Sequence, residues 1–479
     1  MRRREFIERL IGTGAAAFGT SSLAVLHAQQ SGSSNRAPKP LPRRGEFIIR
    51  DAYVMTMDRA AGDIPVGSVH VRNGVIVAVG KDVKAPGAAV IDGRRTIVLP
   101  GLVDTHWHMW TTYLRSMAGD KTEDGYFPVT TRYGKAMEPI DMYRSTKLAA
   151  AEAINTGLTT VSNNCHNVRS HDHAVYDIRG VAETGVRCRW SYGPYRGMPP
   201  DKHIDLADLE GFHRDWAKYS NDGLISLGFA WSGIPTGAAA KSSENVAAAQ
   251  KEFDTARRLG IPMATHWASR ENSPPGDTEA LAKGNFLGKD VLLIHMLATS
   301  PAEMKLVAAA GSPISVSPGS ELRIGYGLTK ACDFMDAGIL VAVSVDTVPL
   351  TGSANFFSIL KLLRNAENAK AFNEFKLTAR RALEMGTIDG ARALGLDQQI
   401  GSLTPGKRAD IIMVRTDGIS MGVFTDPAHM LVEAAEEADV DTVVVDGRIL
   451  KRGGKLTALV PEQVIADAAK SLEEVGKRL

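Results

Sequence analysis

Residues that can bind a metal or move a proton end several short apolar runs that lie far apart in the chain. They are His106, His108, His266, His295 and Asp346. Imidazole nitrogens and carboxylate oxygens are suitable ligands for a divalent transition metal such as Zn²⁺. His106 and His108, in "LPGLVDTHWH", are two residues apart, so in a strand both face one site and Trp107 faces away from it. One such residue says little, but the set indicates a metal site.

Eight apolar runs lie between residues 101 and 400 and alternate with helix-like segments. This alternation predicts an α/β chain with a parallel (β/α)8 barrel, in which functional groups gather at the C-terminal ends of the strands. The five residues fall at such ends. The alternative is an open doubly wound sheet. The barrel is favoured because there are eight runs and no GxGxxG turn follows the first.

Outside the middle of the chain the pattern changes to short strands. The pattern predicts a small β-sandwich domain built from both termini, over residues 45–98 and 402–479, that ends in a helix. Asn73-Gly74 predicts a hairpin turn within it. The barrel is predicted over residues 99–401. The composition, 44% hydrophobic and 23% charged, suits a large globular core. A net charge of +2 gives no basic field for nucleic acid, and the three cysteines form no CxxC pair.

The N-terminus has the layout of an export signal. Residues 1–28 carry a basic start, a weakly apolar middle and a small residue before polar sequence, and "RREFI" is typical of a twin-arginine signal. Residues 29–44 read as a linker. We therefore expect the export machinery as a partner, a periplasmic or exported location, and no permanent membrane span. The alternative is a basic amphipathic helix of a cytoplasmic protein.

Two motifs carry a resemblance to a known family. "LPGLVDTHWH" and the closing "IGSLTPGKRADIIMV", with the three later strand-end residues, resemble the amidohydrolase superfamily, in the branch of cytosine deaminases and triazine hydrolases. The resemblance implies that four of the five strand-end residues bind the metal and that two take part in catalysis, with Asp346 in both groups. The implied ligands are His106, His108, His266 and Asp346. The implied catalytic residues are His295, as acid or base, and Asp346, which accepts a proton from water. A divalent cation lowers the pKa of bound water from about 15.7 towards about 7, which makes hydroxide available. Asp104, near His106, either orients a ligand or is an ordinary polar residue.

The metal centre is predicted to hold one ion. Binuclear relatives use a carboxylated lysine at the end of strand four, where this chain reads "LGFAWSG", and Lys241 is too far along the loop. We expect one divalent metal per chain, with zinc preferred over iron or another metal.

One departure from the resemblance concerns the reaction. Deaminases of this branch carry a glutamate three residues after the strand-five histidine, but position 269 is Ser, and Glu271 is predicted to be misdirected. Glu321, in "SPGSELRIGYG", is a possible substitute or else a salt-bridge partner of Arg323.

The predicted substrate contacts are Glu321, His166, Trp110 and Tyr195. For His166 the alternative is a helix cap, and Arg196 either binds an anionic substituent or is solvated. The leading hypothesis is hydrolysis of a non-peptide C–N bond (amide, cyclic amidine, urea or carbamate) in a small cyclic or heteroaromatic substrate through metal-bound hydroxide. The alternatives are a deaminase, a hydrolytic dehalogenase and a non-catalytic periplasmic binding protein. The sequence leaves open a homo-oligomer.

Overall fold

The computed structural model of the protein describes residues 40–236, 239, 242–273 and 276–479. The predicted signal peptide, residues 1–28, and most of the predicted linker lie outside the described residues.

Seventeen strands follow one another along the described chain. They are β1 (Glu46–Val54), β2 (Ile64–Arg72), β3 (Val75–Gly80), β4 (Ala89–Asp92), β5 (Thr96–Pro100), β6 (Leu102–Val103), β7 (Leu158–Cys165), β8 (Arg187–Tyr192), β9 (Ile225–Ala230), β10 (Met263–Trp267), β11 (Val291–His295), β12 (Ile314–Val316), β13 (Val341–Val343), β14 (Ile411–Arg415), β15 (Val440–Val445), β16 (Arg448–Arg452) and β17 (Lys455–Leu456).

The α-helices lie mainly between the strands of the middle segment. They are α1 (Tyr126–Ala136), α2 (Pro139–Thr156), α3 (His171–Ala182), α4 (Leu206–Arg214), α5 (Ser243–Arg258), α6 (Asp277–Lys283), α7 (Pro301–Ala310), α8 (Pro318–Ile324), α9 (Ala331–Asp336), α10 (Val348–Thr351), α11 (Phe356–Ala371), α12 (Ala379–Met385), α13 (Ile388–Ala393), α14 (Pro427–His429) and α15 (Pro461–Arg478). Within the part of the chain that the structure describes, no helix combines the length and apolar character needed to cross a bilayer.

Strands β6 to β13 form one sheet in sequence order, and each pairs in parallel with its neighbour. The chain after β6 meets the chain after β13 through the Asp346 amide, which donates to the His106 carbonyl at 2.8 Å, and the His108 amide, which donates to the Asp346 carbonyl at 2.6 Å. These bonds close the sheet, which confirms the predicted barrel over the open sheet. Strands such as β7 and β11 are buried along their whole length, as parallel strands covered on both faces must be.

Local sequence signals set the ends of the barrel helices. Ser300 begins α7 with a capping box, in which its side chain accepts from the Glu303 amide and the Glu303 carboxylate accepts from the Ser300 amide. Pro301 occupies the first turn, where no amide donor is needed. Gly311 ends the helix at φ 75°, a left-handed conformation that glycine adopts without steric cost.

The remaining strands form a second, mixed sheet from both ends of the described chain. Its order is β17-β16-β15-β14-β5-β1-β2-β3, with β4 also beside β1. The N-terminal and C-terminal parts join where β5 pairs antiparallel with β14, so strands from both ends of the described chain share this sheet. The turn at Asn73 and Gly74 links β2 to β3 with φ of 49° and 85°, as the hairpin signal predicts.

A buried ion pair joins the barrel to this second sheet. Arg187, at the start of β8, donates from Nε to Oδ2 of Asp410 at 2.8 Å and from Nη2 to Oδ1 at 3.0 Å. Asp410 also accepts the Asp446 amide at 2.8 Å. Both partners of the ion pair are buried, so the charge of Arg187 depends on Asp410 for its compensation.

Candidate active site

Three histidines and one aspartate converge at the C-terminal end of the barrel, and one ligand atom from each lies within 4.8 Å of the others. His266 Nε2 lies 3.1 Å from His106 Nε2 and 3.2 Å from His108 Nε2. Asp346 Oδ1 lies 3.1 Å from His106 Nε2 and 3.5 Å from His108 Nε2. The structure therefore brings all four predicted ligands together.

These four atoms fit a divalent metal. A tetrahedral zinc ion with ligands about 2.0–2.1 Å away separates neighbouring ligand atoms by about 3.3–3.4 Å, close to the distances observed. Burial, together with the neighbouring imidazoles, holds the pKa of His108 and of His266 well below its ordinary value. Neutral rings present lone pairs, as metal ligation requires. The four residues thus form a site for a divalent metal.

Backbone geometry and neighbouring polar groups hold the ligands in place. Asp346 has φ 62°, an uncommon value for a non-glycine residue, and its backbone is bonded to His106 and His108 on the first strand segment. The His108 Nδ1 lies 3.3 Å from the Asn164 carbonyl oxygen, which favours a proton on Nδ1 and a free lone pair on Nε2. Asp104 is buried and accepts the Val345 amide at 2.7 Å, so it braces the strand end rather than a ligand ring.

His295 lies beside the four ligands and is held from behind by Glu321. Its Nδ1 lies 3.0 Å from Oε1 of Glu321, and both side chains are buried. The same oxygen accepts the Ser317 amide at 2.8 Å. Burial opposes protonation of His295, but the bond to Glu321 and the charges of Asp346 and Glu321 raise its pKa above the ordinary value. With Nδ1 bonded to Glu321, Nε2 is the nitrogen left for substrate.

The alternative pairing of Glu321 with Arg323 is wrong. Arg323 instead donates to the Ala118 carbonyl and lies near Asp120. Glu271 accepts the Leu328 amide at 3.2 Å and does not line the cavity, in accord with its predicted misdirection. Ser269 does line the cavity. The glutamate that the resemblance leads one to expect is therefore absent from the cavity wall at this position.

A cavity of about 430 Å³ opens above the four ligands. Of the predicted substrate contacts, His166 and Tyr195 line it, and Arg196 does so as well. His166 Nδ1 lies 3.3 Å from His108 Nδ1, so His166 stands next to the metal ligands. Glu321 lies behind His295 instead of in the wall, and we correct its predicted contact with substrate to a positioning role.

Trp110 is not brought to the cavity. It is fully buried, in the 3₁₀ turn Met109–Leu114, and its ring packs close to Gly134 of α1. The apolar ring is covered by the helix that follows in the chain, so its predicted contact with substrate is corrected to packing. Trp107 is also fully buried, as its alternation with the two histidines predicts.

Sequence reasoning missed several residues of the wall. Four with aromatic or ionisable side chains are Tyr126, Phe127, Glu252 and Tyr326. Tyr126 and Phe127 lie on α1 and Glu252 lies on α5, whereas Tyr326 follows α8, so none of the four is at a strand end. Tyr326 lies in the same segment, "SPGSELRIGYG", as Glu321, which is the signal that could have found it, whereas α1 and α5 carry no local signal that they face the cavity.

Strand β9 ends at Ala230 without a lysine. Lys241 lies outside the described residues, so a single metal stays a prediction.

Together, the closed barrel, the four convergent ligands and the adjacent His295 define a barrel hydrolase with a divalent metal centre. The chain belongs to the amidohydrolase family, whose model matches residues 97–450. This confirms the resemblance carried by the two motifs.

Several relatives and solved structures resemble the chain over nearly all of its length. It is 27% identical to a 5'-deoxyadenosine deaminase of Methanosarcina barkeri, over 91% of this chain and 99% of the relative. It is also 27% identical to a 5-methylthioadenosine/S-adenosylhomocysteine deaminase of Acetivibrio thermocellus, over 90% and 99%. An adenosine deaminase structure from Xanthomonas campestris with bound zinc matches with a TM-score of 0.76 at 22% identity, over 91% of this chain and 100% of that one. An atrazine chlorohydrolase structure from Arthrobacter aurescens with zinc matches with a TM-score of 0.75 at 22% identity, over 89% and 100%.

Proposed function

We propose that the protein hydrolyses a C–N bond other than a peptide bond in a small cyclic or heteroaromatic substrate. The observation that carries this proposal is geometric: His295 and three of the four metal ligands line one cavity of about 430 Å³, a volume that suits a small molecule. The three ligands are His108, His266 and Asp346. Aromatic side chains line the wall, among them Tyr126 and Tyr326, and such residues suit a planar ring.

The side chains have separate tasks in this reaction. When bound, the divalent metal activates the attacking water and polarises the substrate. Asp346 directs Oδ1 at the histidines, and its second oxygen can accept a proton from the water. His295 can donate from Nε2 to the nitrogen or oxygen that gains charge as the bond breaks. Glu321 keeps Nδ1 of His295 bonded and so sets the tautomer and ring orientation.

Ser269 and Glu321 favour an amide, cyclic amidine, urea or carbamate over an exocyclic amine. Neither residue places a carboxylate where it could carry a proton to a ring nitrogen, because position 269 holds a serine and Glu321 lies behind His295. The second candidate is an aminohydrolase that releases ammonia, and the names of the two deaminase relatives support it.

The deciding experiment identifies the leaving group. The zinc-loaded protein is incubated with a panel of cyclic ureas, lactams, carbamates, aminated N-heterocycles and halogenated triazines, and amine, ammonia and halide are each assayed. Ring opening or amine release supports the leading proposal, ammonia release supports the aminohydrolase, and halide release refutes both. The matched control is His295→Ala, which we expect to retain metal and lose turnover.

We also propose that the centre holds one zinc ion per chain. Four ligand atoms at tetrahedral spacing support this, and a second ion would need a bridging carboxylate. Elemental analysis of the purified protein should give one equivalent of zinc. Two equivalents, or a preference for iron after growth with both metals, would overturn this proposal.

We further propose export by the twin-arginine route, on the strength of "RREFI" in the N-terminal segment. Replacing both arginines, Arg3 and Arg4, with lysine should leave the protein in the cytoplasmic fraction, whereas the parent chain reaches the periplasm. Equal distribution of the two proteins would refute it.

A further inference from the structure

One wall of the cavity carries a guanidinium group that lies on aromatic rings. Arg196, in the loop after β8, lines the cavity, and its Cζ lies 5.2 Å from the centre of the Phe127 ring and 5.7 Å from that of Tyr126. Both rings belong to α1 and also line the cavity. Cation–π contacts of this kind hold the group in one place and leave its N–H donors free for a ligand.

The charge of Arg196 has no acidic counterpart in the described part of the chain. In that part of the chain no carboxylate lies within ion-pair distance of the half-buried Arg196, and its Nε atom is buried without a hydrogen-bond partner. By contrast, the buried Arg187 and Arg448 each pair with an acid. A buried donor on a charged group costs free energy until a ligand satisfies it. The donor set therefore suits an acceptor that arrives from outside.

The two acids in the cavity wall do not neutralise this charge. Asp346 belongs to the metal site. Glu252 is buried, and burial raises its pKa to about 7, although the Ile204 amide donates to its Oε1 at 2.8 Å. Lys202 adds a second cation to the same wall. Burial, followed by the charge of Arg196, holds the pKa of His166 well below its ordinary value, which places Arg196 within electrostatic range of the metal ligands' neighbour.

We propose that Arg196 binds a carboxylate carried by the substrate while the scissile C–N bond lies at the metal centre. The planar fork of a guanidinium matches the two oxygens of a carboxylate, and the low-dielectric wall strengthens the bond. The rings of Tyr126 and Phe127 contact the guanidinium from the side of α1. The identification of the ligand as substrate rests on the proposed function. The anion site itself does not.

The test measures binding rather than turnover. Isothermal titration calorimetry of the zinc-loaded protein compares phenylacetate with phenylacetamide, a neutral molecule of the same shape. Three proteins are used: the parent chain, Arg196→Met, which keeps much of the apolar stem, and Arg169→Met. Arg169 is the matched control because it is an exposed cation that stacks on Tyr195 at 4.8 Å and does not line the cavity.

We expect the parent protein to bind phenylacetate more tightly than phenylacetamide, and Arg196→Met to weaken phenylacetate binding by about 10- to 100-fold, the range for a charged hydrogen bond. Arg169→Met should change it less than about twofold, since exposed charges are screened. Equal zinc content in all three proteins shows that Arg196→Met is folded.

Three results would overturn the inference. The first is a parent protein that binds phenylacetate no more tightly than phenylacetamide. The second is an unchanged dissociation constant for phenylacetate in Arg196→Met, as expected if phenylacetate binds only the metal. The third is an equal loss of phenylacetate affinity in Arg196→Met and Arg169→Met, as expected from net charge alone. None of these depends on turnover. A protein that binds phenylacetate through Arg196 but hydrolyses no C–N bond refutes the proposed function alone.

Discussion

The bond between His295 and Glu321 gives the sharpest test of the site. Glu321→Leu removes a 3.0 Å charged hydrogen bond between two side chains that are 3% and 0% exposed, and leaves the His295 Nδ1 without an acceptor. A hydrogen bond to a charged group contributes about 1.5–3 kcal/mol. If the bond holds the productive tautomer and orientation, its loss lowers kcat/KM by about 10- to 150-fold.

The assay is a double-mutant cycle on whichever substrate the leaving-group panel identifies. In the parent protein Glu321→Leu should reduce kcat/KM by that factor, but in a His295→Ala background it should have no further effect, because the contribution of Glu321 to the reaction passes through His295. Glu321→Gln is the matched control. It keeps an acceptor for the His295 Nδ1 and the Ser317 amide but not the charge, so we expect a loss of about tenfold or less.

Bound zinc must be unchanged in all of these variants for the comparison to hold. If Glu321→Leu costs the same factor with and without His295, Glu321 acts elsewhere and the positioning role is wrong. If Gln is as damaging as Leu, the negative charge matters rather than the hydrogen bond.

Further predictions concern the metal, the domain interface and the cavity wall. His266→Ala should weaken zinc binding by more than about 100-fold, as judged by competition with a chelator, because one of four ligands is lost; full retention of zinc would refute the ligand set. Asp410→Ala should lower the free energy of unfolding in urea by about 3–5 kcal/mol, because the buried Arg187 is left unpaired, whereas Arg187→Met with Asp410→Leu should recover most of that loss; an additive double variant would contradict this. Folding raises the pKa of Glu252 from 4.5 to about 7, so the folded state binds a proton more tightly than the unfolded state. The protonated Glu252 therefore favours the folded state fully below pH 4.5, and this contribution is lost as the pH rises through 7. Compared with Glu252→Gln, the parent protein should therefore lose about 3 kcal/mol of its free energy of unfolding in urea between pH 4.5 and pH 7. Parallel profiles of this free energy against pH would show that Glu252 does not titrate in this way.

Much of the fold followed from local patterns. The eight apolar runs, the Asn73-Gly74 hairpin and the capping box at Ser300 are signals contained within a few residues, and each corresponds to an observed strand, turn or helix start. The helix α1 and the packing of its two aromatic residues against Arg196 had no such signal, since that contact joins residues about 70 positions apart.

The sequence by itself determined which residues converge at the metal centre. Parallel strands in a barrel end on one face, so residues at the ends of the first, fifth and eighth strands must meet, whatever the loops do. Only the tertiary structure decided which other side chains face that centre. Glu321 turned out to hold His295 from behind, Trp110 to pack beneath α1, and Arg196 to line the cavity. The reason is physical: strand ends have their positions set by the sheet, whereas the direction of a loop or helix is set by what it packs against, and that packing is not contained in any local stretch of the chain.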